Sequence, residues 1–396
     1  GGGALPQHVV VAAVAILSAL FIVGRGANKS GEDGLEEETE TSRALSWVIW
    51  LIVRLVQMIF GLAVLLLSVL VVQQRKIIYV PAPPGTPRST KDNPSSFRSP
   101  KFWGLPYEDL MITTEDGTRV NAWLIYQDAS ALRDGQVPFT FVYFHGNAGN
   151  IGHRLENIRD MHSKLKVNVL IVDYRGYGDS EDGTGPSEKG FLMDAHGVYR
   201  WLVERIRSPT ENDPTRMSED RILLFGRSIG GGVAARLMAD ILRDHLDPPL
   251  ASSGKGDALP IPGGLILENT FTSLSDMAVT LFPFLSFVRF LLRSPLLRDE
   301  WKSAESLDFI VKNHSQWSCC LLSGLQDQIV PPVQMNQIYS ILGQKRPKVL
   351  KFFRFPTGGH NDTPHRGGAD YWNSFQKFLD LADELDKERP APKAQY

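Results

Sequence analysis

The chain has 396 residues, a formal net charge of -2 and 43% apolar residues. That is enough to bury a large core. The balanced charge, with no basic stripe interleaved with aromatics, excludes nucleic acid as a partner on electrostatic grounds. The two cysteines, Cys319 and Cys320, sit side by side in an apolar run. Adjacency excludes a disulfide framework and metal-ligand spacing, and predicts burial within a strand.

Taken in chain order, residues 1–43 hold a hydrophobic segment and an acidic linker. Val9 to Val23 is uncharged but short for a bilayer span. It is open between a second span, a cleaved signal and a peripheral segment, and it has no basic n-region. Residues 44–76 are predicted to form a transmembrane helix. From Ala44 to Val72 the apolar run is broken only by Arg54 and Gln57. Its second half alone reaches the roughly 18 apolar residues expected of a span. Arg54 is expected to snorkel to the interface. Residues 77–106, rich in Pro, Ser and basic residues, read as a linker lifting a domain off the membrane.

Residues 107–387 alternate between two periods. Strand-like runs fall at 120–126, 139–144, 167–174, 221–226, 264–268, 319–324 and 349–355, with amphipathic stretches at 188–206, 229–243, 333–342 and 370–386. Solid apolar strands separated by helices predict an α/β fold: a mostly parallel central sheet covered on both faces. The piece at 244–263 is an aperiodic loop, and 388–396 is a tail. Residues 271–301 sit where a lid would be inserted. Their aromatic and leucine content fits an acyl-chain pocket opening toward the membrane, and equally a helix packed on the core.

The stretch "FGRSIGGG", Phe225 to Gly232, carries the chemistry. Each glycine in a helix costs about 1 kcal/mol relative to alanine, so helix stability does not choose them. Ser228 lies between a buried strand and a helix, with Gly226 two before it and Gly230 two after. This is a G-x-S-x-G nucleophile elbow in its required strand–turn–helix context. The elbow projects a serine hydroxyl above the carboxyl edge of the sheet, and flanking glycines let strand and helix pass closely.

A serine needs a base, and in this arrangement the order is Ser, acid, His at successive strand ends. "LQDQIVPP" puts Asp327 past one strand, and "PTGGHNDT" puts His360 past the next. His360 is expected to accept the Ser228 proton while Asp327 fixes the imidazole tautomer. Two backbone amides, of Asn147 in "HGNAGN" and of Ile229, are expected to form an oxyanion hole. Glu268, also at a strand end, is the competing acid. His145 is expected to be a structural hydrogen-bonder, Arg175 to anchor the tight loop 173–181 at the pocket rim, and His153, His162, His196 and His314 to be ordinary surface or helix residues. His365 and Asp370 have an H-x4-D spacing associated with acyltransferases, read here as a loop into the last helix. Nothing points to a metal or organic cofactor.

The blocks "FHGNAGNIGHRL", "VNVLIVDYRGYGDSE", "LFGRSIGG", "LENTFTSL", "LSGLQDQIVPP" and "GGHNDT" resemble the α/β-hydrolase-domain-containing proteins, most closely the membrane-anchored α/β-hydrolase-domain-containing protein 13 group. The resemblance spans about 107 to 380. It implies the α/β-hydrolase fold, with Ser228, Asp327 and His360 as its triad, behind a signal-anchor helix. The extra segment at Val9 to Val23 and the insertion at 244–263 depart from the family pattern. The expected activity is cleavage of acyl esters or thioesters, including palmitoyl groups on proteins. Lipid (monoacylglycerol-type) esterase, peptidase and non-catalytic membrane scaffold are the alternatives. The expected partners are the lipid bilayer and an acylated lipid or protein. Basic residues after the span (Arg75, Lys76, Arg88, Lys91) favour a cytosolic catalytic domain, while the signal-anchor resemblance implies the opposite side. Sequons occur at Asn28, Asn313 and Asn361, and a glycan on Asn361 would obstruct the neighbouring His360.

Overall fold

The computed structural model describes residues 40–387 apart from 134, 211–212, 248–257, 284–285, 287–296 and 346. Val9 to Val23, Asn28, most of the acidic linker, the middle of the 244–263 insertion, the centre of the expected lid and the tail 388–396 lie outside the described residues. The chain divides into two units, Gly1–Val69 and Leu70–Tyr396.

Helix α1 runs Glu40–Ile78, with Glu40 in its first turn and Arg75 and Lys76 in its last. Those charges complement the helix dipole. In the first unit its apolar side chains, among them Trp47, Leu51, Leu55, Ile59 and Leu66, are exposed. A helix apolar on every side belongs in a buried core or a bilayer. Among the described residues it is the one helix long and apolar enough to cross a membrane. Arg54 donates to Gln57 Oε1 at 3.1 Å and lies over the Trp50 ring, so its charge is met within its own helix.

The second unit is built on a sheet of β1 (Tyr107–Thr113), β2 (Arg119–Ile125), β3 (Thr140–Phe144), β4 (Asn168–Val172), β5 (Ile222–Arg227), β6 (Gly264–Glu268), β7 (Ser318–Gly324) and β8 (Val349–Phe355). Their order is β1-β2-β4-β3-β5-β6-β7-β8. The β1–β2 and β2–β4 pairs are antiparallel and the rest parallel. The strands are followed by α2 (Leu155–Asp160), α3 (Glu188–Arg207), α4 (Ile229–Leu246), α5 (Leu274–Leu281), α6 (Ser303–Asn313), α7 (Pro332–Leu342) and α8 (Thr363–Lys387).

Period-2 alternation sorts the strands between two cores. Val142, Phe144, Leu170 and Leu224 face one side with α3, α4, α6 and α7. Phe141, Tyr143, Ile171 and Phe225 face the other with Phe375 and Phe378 of α8. Cys319 and Cys320 point to opposite cores, both fully buried. Strand β1 escapes sequence reading because it is an edge strand with a mostly polar, partly exposed pattern, "YEDLMIT".

The stretch 77–106 is not a spacer. Its short turns pack on the second unit. Asn93 and Asn150 exchange side-chain hydrogen bonds at 2.8 and 3.1 Å, and Ser89 donates to Asp179 at 2.6 Å. Tyr79, 3% exposed, packs against the tilted Phe191 ring and accepts a 3.0 Å hydrogen bond from Trp301 Nε1. Composition signalled a tether, but long-range partners override it. Tyr79→Ala is therefore expected to lower unfolding free energy by about 3 kcal/mol and Tyr79→Phe by about 1 kcal/mol. Urea unfolding in detergent measures both, and an unchanged midpoint for Tyr79→Ala would restore the tether reading.

Candidate active site

Strand β5 passes into α4 at Ser228, whose backbone adopts φ 55°, ψ -123°. A side-chain-bearing residue held there is strained by about 1–3 kcal/mol. The turn is fastened on three sides. The Ser228 amide donates to the Glu268 carbonyl at 2.9 Å, its carbonyl accepts from the Gly231 amide at 3.0 Å, and Thr270 Oγ1 adds a 2.7 Å bond to the same carbonyl. The glycines are explained by contact. A Cβ on Gly226 would run into the Gly230 carbonyl, one on Gly230 into the Phe144 carbonyl, and one on Gly231 into the Thr270 side chain. Gly232 is different, with the nearest atoms to a Cβ at 3.2 Å.

Past β7, Asp327 Oδ1 accepts the amides of Ile329 and Val330 at 2.9 and 2.8 Å. Its Oδ2 lies 2.7 Å from His360 Nδ1. An imidazole that donates its Nδ1 proton to a carboxylate presents a basic Nε2. The loop carrying His360 is held by residues that sequence reasoning missed. Arg227 Nη2 donates to the His360 carbonyl at 2.7 Å. Asn269, at φ 46°, donates to the carbonyls of Gly359 and His360 and to Thr363 Oγ1. Its Oδ1 accepts the Gly324 amide at 2.8 Å, so one side chain joins the end of β7 to the histidine loop. The only local signal was an asparagine at a strand end, a residue type that tolerates positive φ.

The loop after β3 presents Asn147. Its side-chain oxygen accepts from Tyr177 OH at 2.7 Å and from the Val80 amide, and its amide nitrogen donates to the Ile78 carbonyl. The side chain is committed to holding the loop, and Tyr177 OH also donates to the Asn147 carbonyl at 3.1 Å. Ile229 is the first residue of α4, where helix amides have no intrahelical partner. Ser228, His360, Asn147 and Ile229 all line one cavity of about 640 Å³, within the roughly 300–1,000 Å³ range of ligand sites. Its walls are largely apolar: Phe271, Leu274 and Met277 from the expected lid region, and Ile77, Ile78 and Val80.

The other sequence candidates separate from this cavity. Glu268 is fully buried and turns to Tyr371 OH at 3.0 Å and Arg227 Nε at 3.7 Å. Burial raises its carboxyl above the ordinary range, opposed by the Arg227 charge. His145 is packed against Tyr174, and burial pushes its imidazole down to about 3, so it is neutral and structural. Arg175 is an anchor, paired with Asp116 at 2.7 Å and Asp194 at 2.8 Å. Loop 173–181 does not form the rim. Among the described residues none of it lines the cavity; Tyr177 buttresses the Asn147 loop from behind. His153 caps the turn beside that loop by accepting the Asn150 amide at 3.0 Å. His365 and Asp370 are exposed on α8, which starts before the expected loop and is broken at Gly368.

This topology, with a serine elbow at the centre of the sheet, defines an α/β-hydrolase. An esterase of Pyrococcus furiosus, Pf2001, shares the fold at 17% identity and a TM-score of 0.51, covering 76% of this chain and 97% of that one. No protein-family model matches the chain. The α/β-hydrolase domain-containing protein WAV2 of Arabidopsis thaliana is 36% identical over 341 residues, 83% of this chain and 94% of that protein. The chain belongs to the α/β-hydrolase-domain-containing family. The lysophosphatidylserine lipase ABHD12 of Danio rerio is 30% identical over 210 residues, 52% of this chain and 47% of its own.

The glycine contacts make a differential prediction. Gly230→Ala is expected to cost more than about 3 kcal/mol of stability, whereas Gly232→Ala, with a helix-propensity gain offsetting a tight contact, costs less than about 1 kcal/mol. Thermal unfolding of the two variants checks this, and equal melting temperatures would contradict it.

Proposed function

We propose that the protein is a membrane-anchored serine hydrolase that cleaves acyl esters or thioesters, of the kind found in membrane lipids and palmitoylated proteins. The observation that carries the reading is the 2.7 Å Asp327–His360 pair, whose histidine lines one largely apolar cavity with a serine at positive φ. In this mechanism Ser228 Oγ attacks the acyl carbonyl as His360 Nε2 takes its proton. Asp327 stabilises the imidazolium. The oxyanion of the tetrahedral intermediate is held by the amides of Asn147 and Ile229. Collapse expels the alcohol or thiol, protonated by His360, and leaves Ser228 acylated. Water, deprotonated by His360, then releases the acid and regenerates the serine.

Membrane anchoring is supported by α1, and an acyl substrate by the apolar walls of the cavity. Within the family, the motif blocks support the protein 13 group. The basic residues after the span support a cytosolic catalytic unit. So does Asn361, which lines the cavity beside His360 and would block it if glycosylated.

Turnover of long-chain acyl esters by the detergent-solubilised full chain tests the reading. Ser228→Ala is expected to abolish it, and Asp327→Asn to lower kcat by about 10⁴-fold. Combining the two is expected to be no worse than Ser228→Ala alone, since residues acting as a unit are non-additive. Full turnover by Ser228→Ala would sink the proposal, and a strong preference for short water-soluble esters would overturn its substrate class.

A further inference from the structure

The charges around the cavity are unbalanced. Two arginines line it, Arg154 and Arg227, and among the described residues no aspartate or glutamate does. Arg227 has Glu268 behind it, 3.7 Å from Nε, and its Nη2 is used by the His360 carbonyl. Arg154 has no such partner. Its Nη2 donates to the Ala148 carbonyl, while its Nε is shielded from solvent and without a hydrogen-bond partner. Among the described residues it forms no ion pair. Asp173 contributes attraction from a distance, but its Oδ1 accepts the Ile151 amide at 3.0 Å and burial pushes its carboxyl toward the neutral form.

Arg154 is half-buried and its guanidinium is permanently charged, so a charge partly withdrawn from water with no acid beside it favours a ligand that supplies the negative charge. The fully buried Arg175, by contrast, holds Asp116 and Asp194. Arg154 instead lines the cavity beside Ala148, in the loop that also carries Gly146 and Asn147. Its planar fork suits the two oxygens of a phosphate or carboxylate.

We infer that Arg154 is the specificity-determining residue of this site, and that the preferred substrates are long-chain acyl esters bearing an anionic group close to the scissile bond. This rests on the hydrolase reading above and narrows its substrate class to anionic acyl esters. The alternative role for Arg154 is a clamp on the Ala148 carbonyl. A clamp acts on the loop whatever the substrate, so it scales all rates together.

The test measures kcat/KM of the full chain in detergent micelles for three palmitoyl esters: 1-palmitoyl-lysophosphatidic acid, O-palmitoyl glycolate and uncharged 1-monopalmitoylglycerol. The wild type is expected to favour at least one anionic ester over the neutral one by about tenfold or more, the scale of one charge-assisted hydrogen bond. Which of the two it favours assigns the anion as phosphate or carboxylate. Arg154→Gln is expected to collapse that ratio to near one, mainly through KM, with Arg154→Lys intermediate. A second readout needs no variant: dodecyl phosphate or dodecanoate, but not dodecanol, should compete with the neutral ester. An unchanged ratio in Arg154→Gln, or no anion preference and no selective competition in the wild type, overturns the inference while leaving the hydrolase intact. A folded wild type inactive on all three esters removes the ester reading, and this inference with it.

Discussion

The site hangs on one backbone constraint, the positive φ of Ser228. Strand β5 and helix α4 are joined with no intervening loop, so the connecting residue must turn sharply and its side chain is thrown out over the sheet edge. Two crossing points, at Gly226 and Gly230, have no room for a Cβ. The strain is offset by burial of the whole of β5 and most of α4 and by the bonds from Glu268, Gly231 and Thr270. A rigid element on either side keeps the hydroxyl in place.

The elbow then organises its neighbours through the residues beside it. Arg227 immediately precedes the serine and reaches the carbonyl of His360, with Glu268, itself held by Tyr371 OH, facing its charge. Asn269 follows Glu268 on the next strand and fastens the same loop from the other side. Histidine and serine are thus positioned by adjacent strands of one sheet, with Asp327 supported separately by two amides of its own turn. The end of α1 and the residues just after it also line the cavity. The Ile78 carbonyl and Val80 amide grip Asn147, which ties the chain just after the apolar helix to the loop beside the serine.

The sequence displayed those features whose signals are local. Seven of the strands are runs of apolar residues with clear ends, and the elbow, Asp327 and His360 each fall at a strand terminus where spacing alone locates them. What was not legible depends on partners distant in the chain. The stretch 77–106 reads as a Pro/Ser-rich tether because nothing in "PAPPGTPRSTKDNPSS" announces that Asn93 meets Asn150 or that Ser89 meets Asp179. Edge strand β1 lacks an apolar run because only one face of it is covered. Arg227, Asn269 and Arg154 are ordinary polar residues in sequence, and their place becomes visible only when strand order brings their loops together. Glu268 illustrates the converse. It sits at a strand end suited to an acid, yet the fold turns it inward to Arg227.

The central claim is that His360 and Asp327 make Ser228 a nucleophile, and labelling with a fluorophosphonate tests it most directly. The detergent-solubilised wild type, Ser228→Ala and His360→Ala would be treated side by side, with peptide mapping of the adduct. The account predicts a phosphonylated Ser228 in the wild type and no adduct in either variant. A folded wild type that does not label, or one that labels elsewhere and equally in Ser228→Ala, would contradict it.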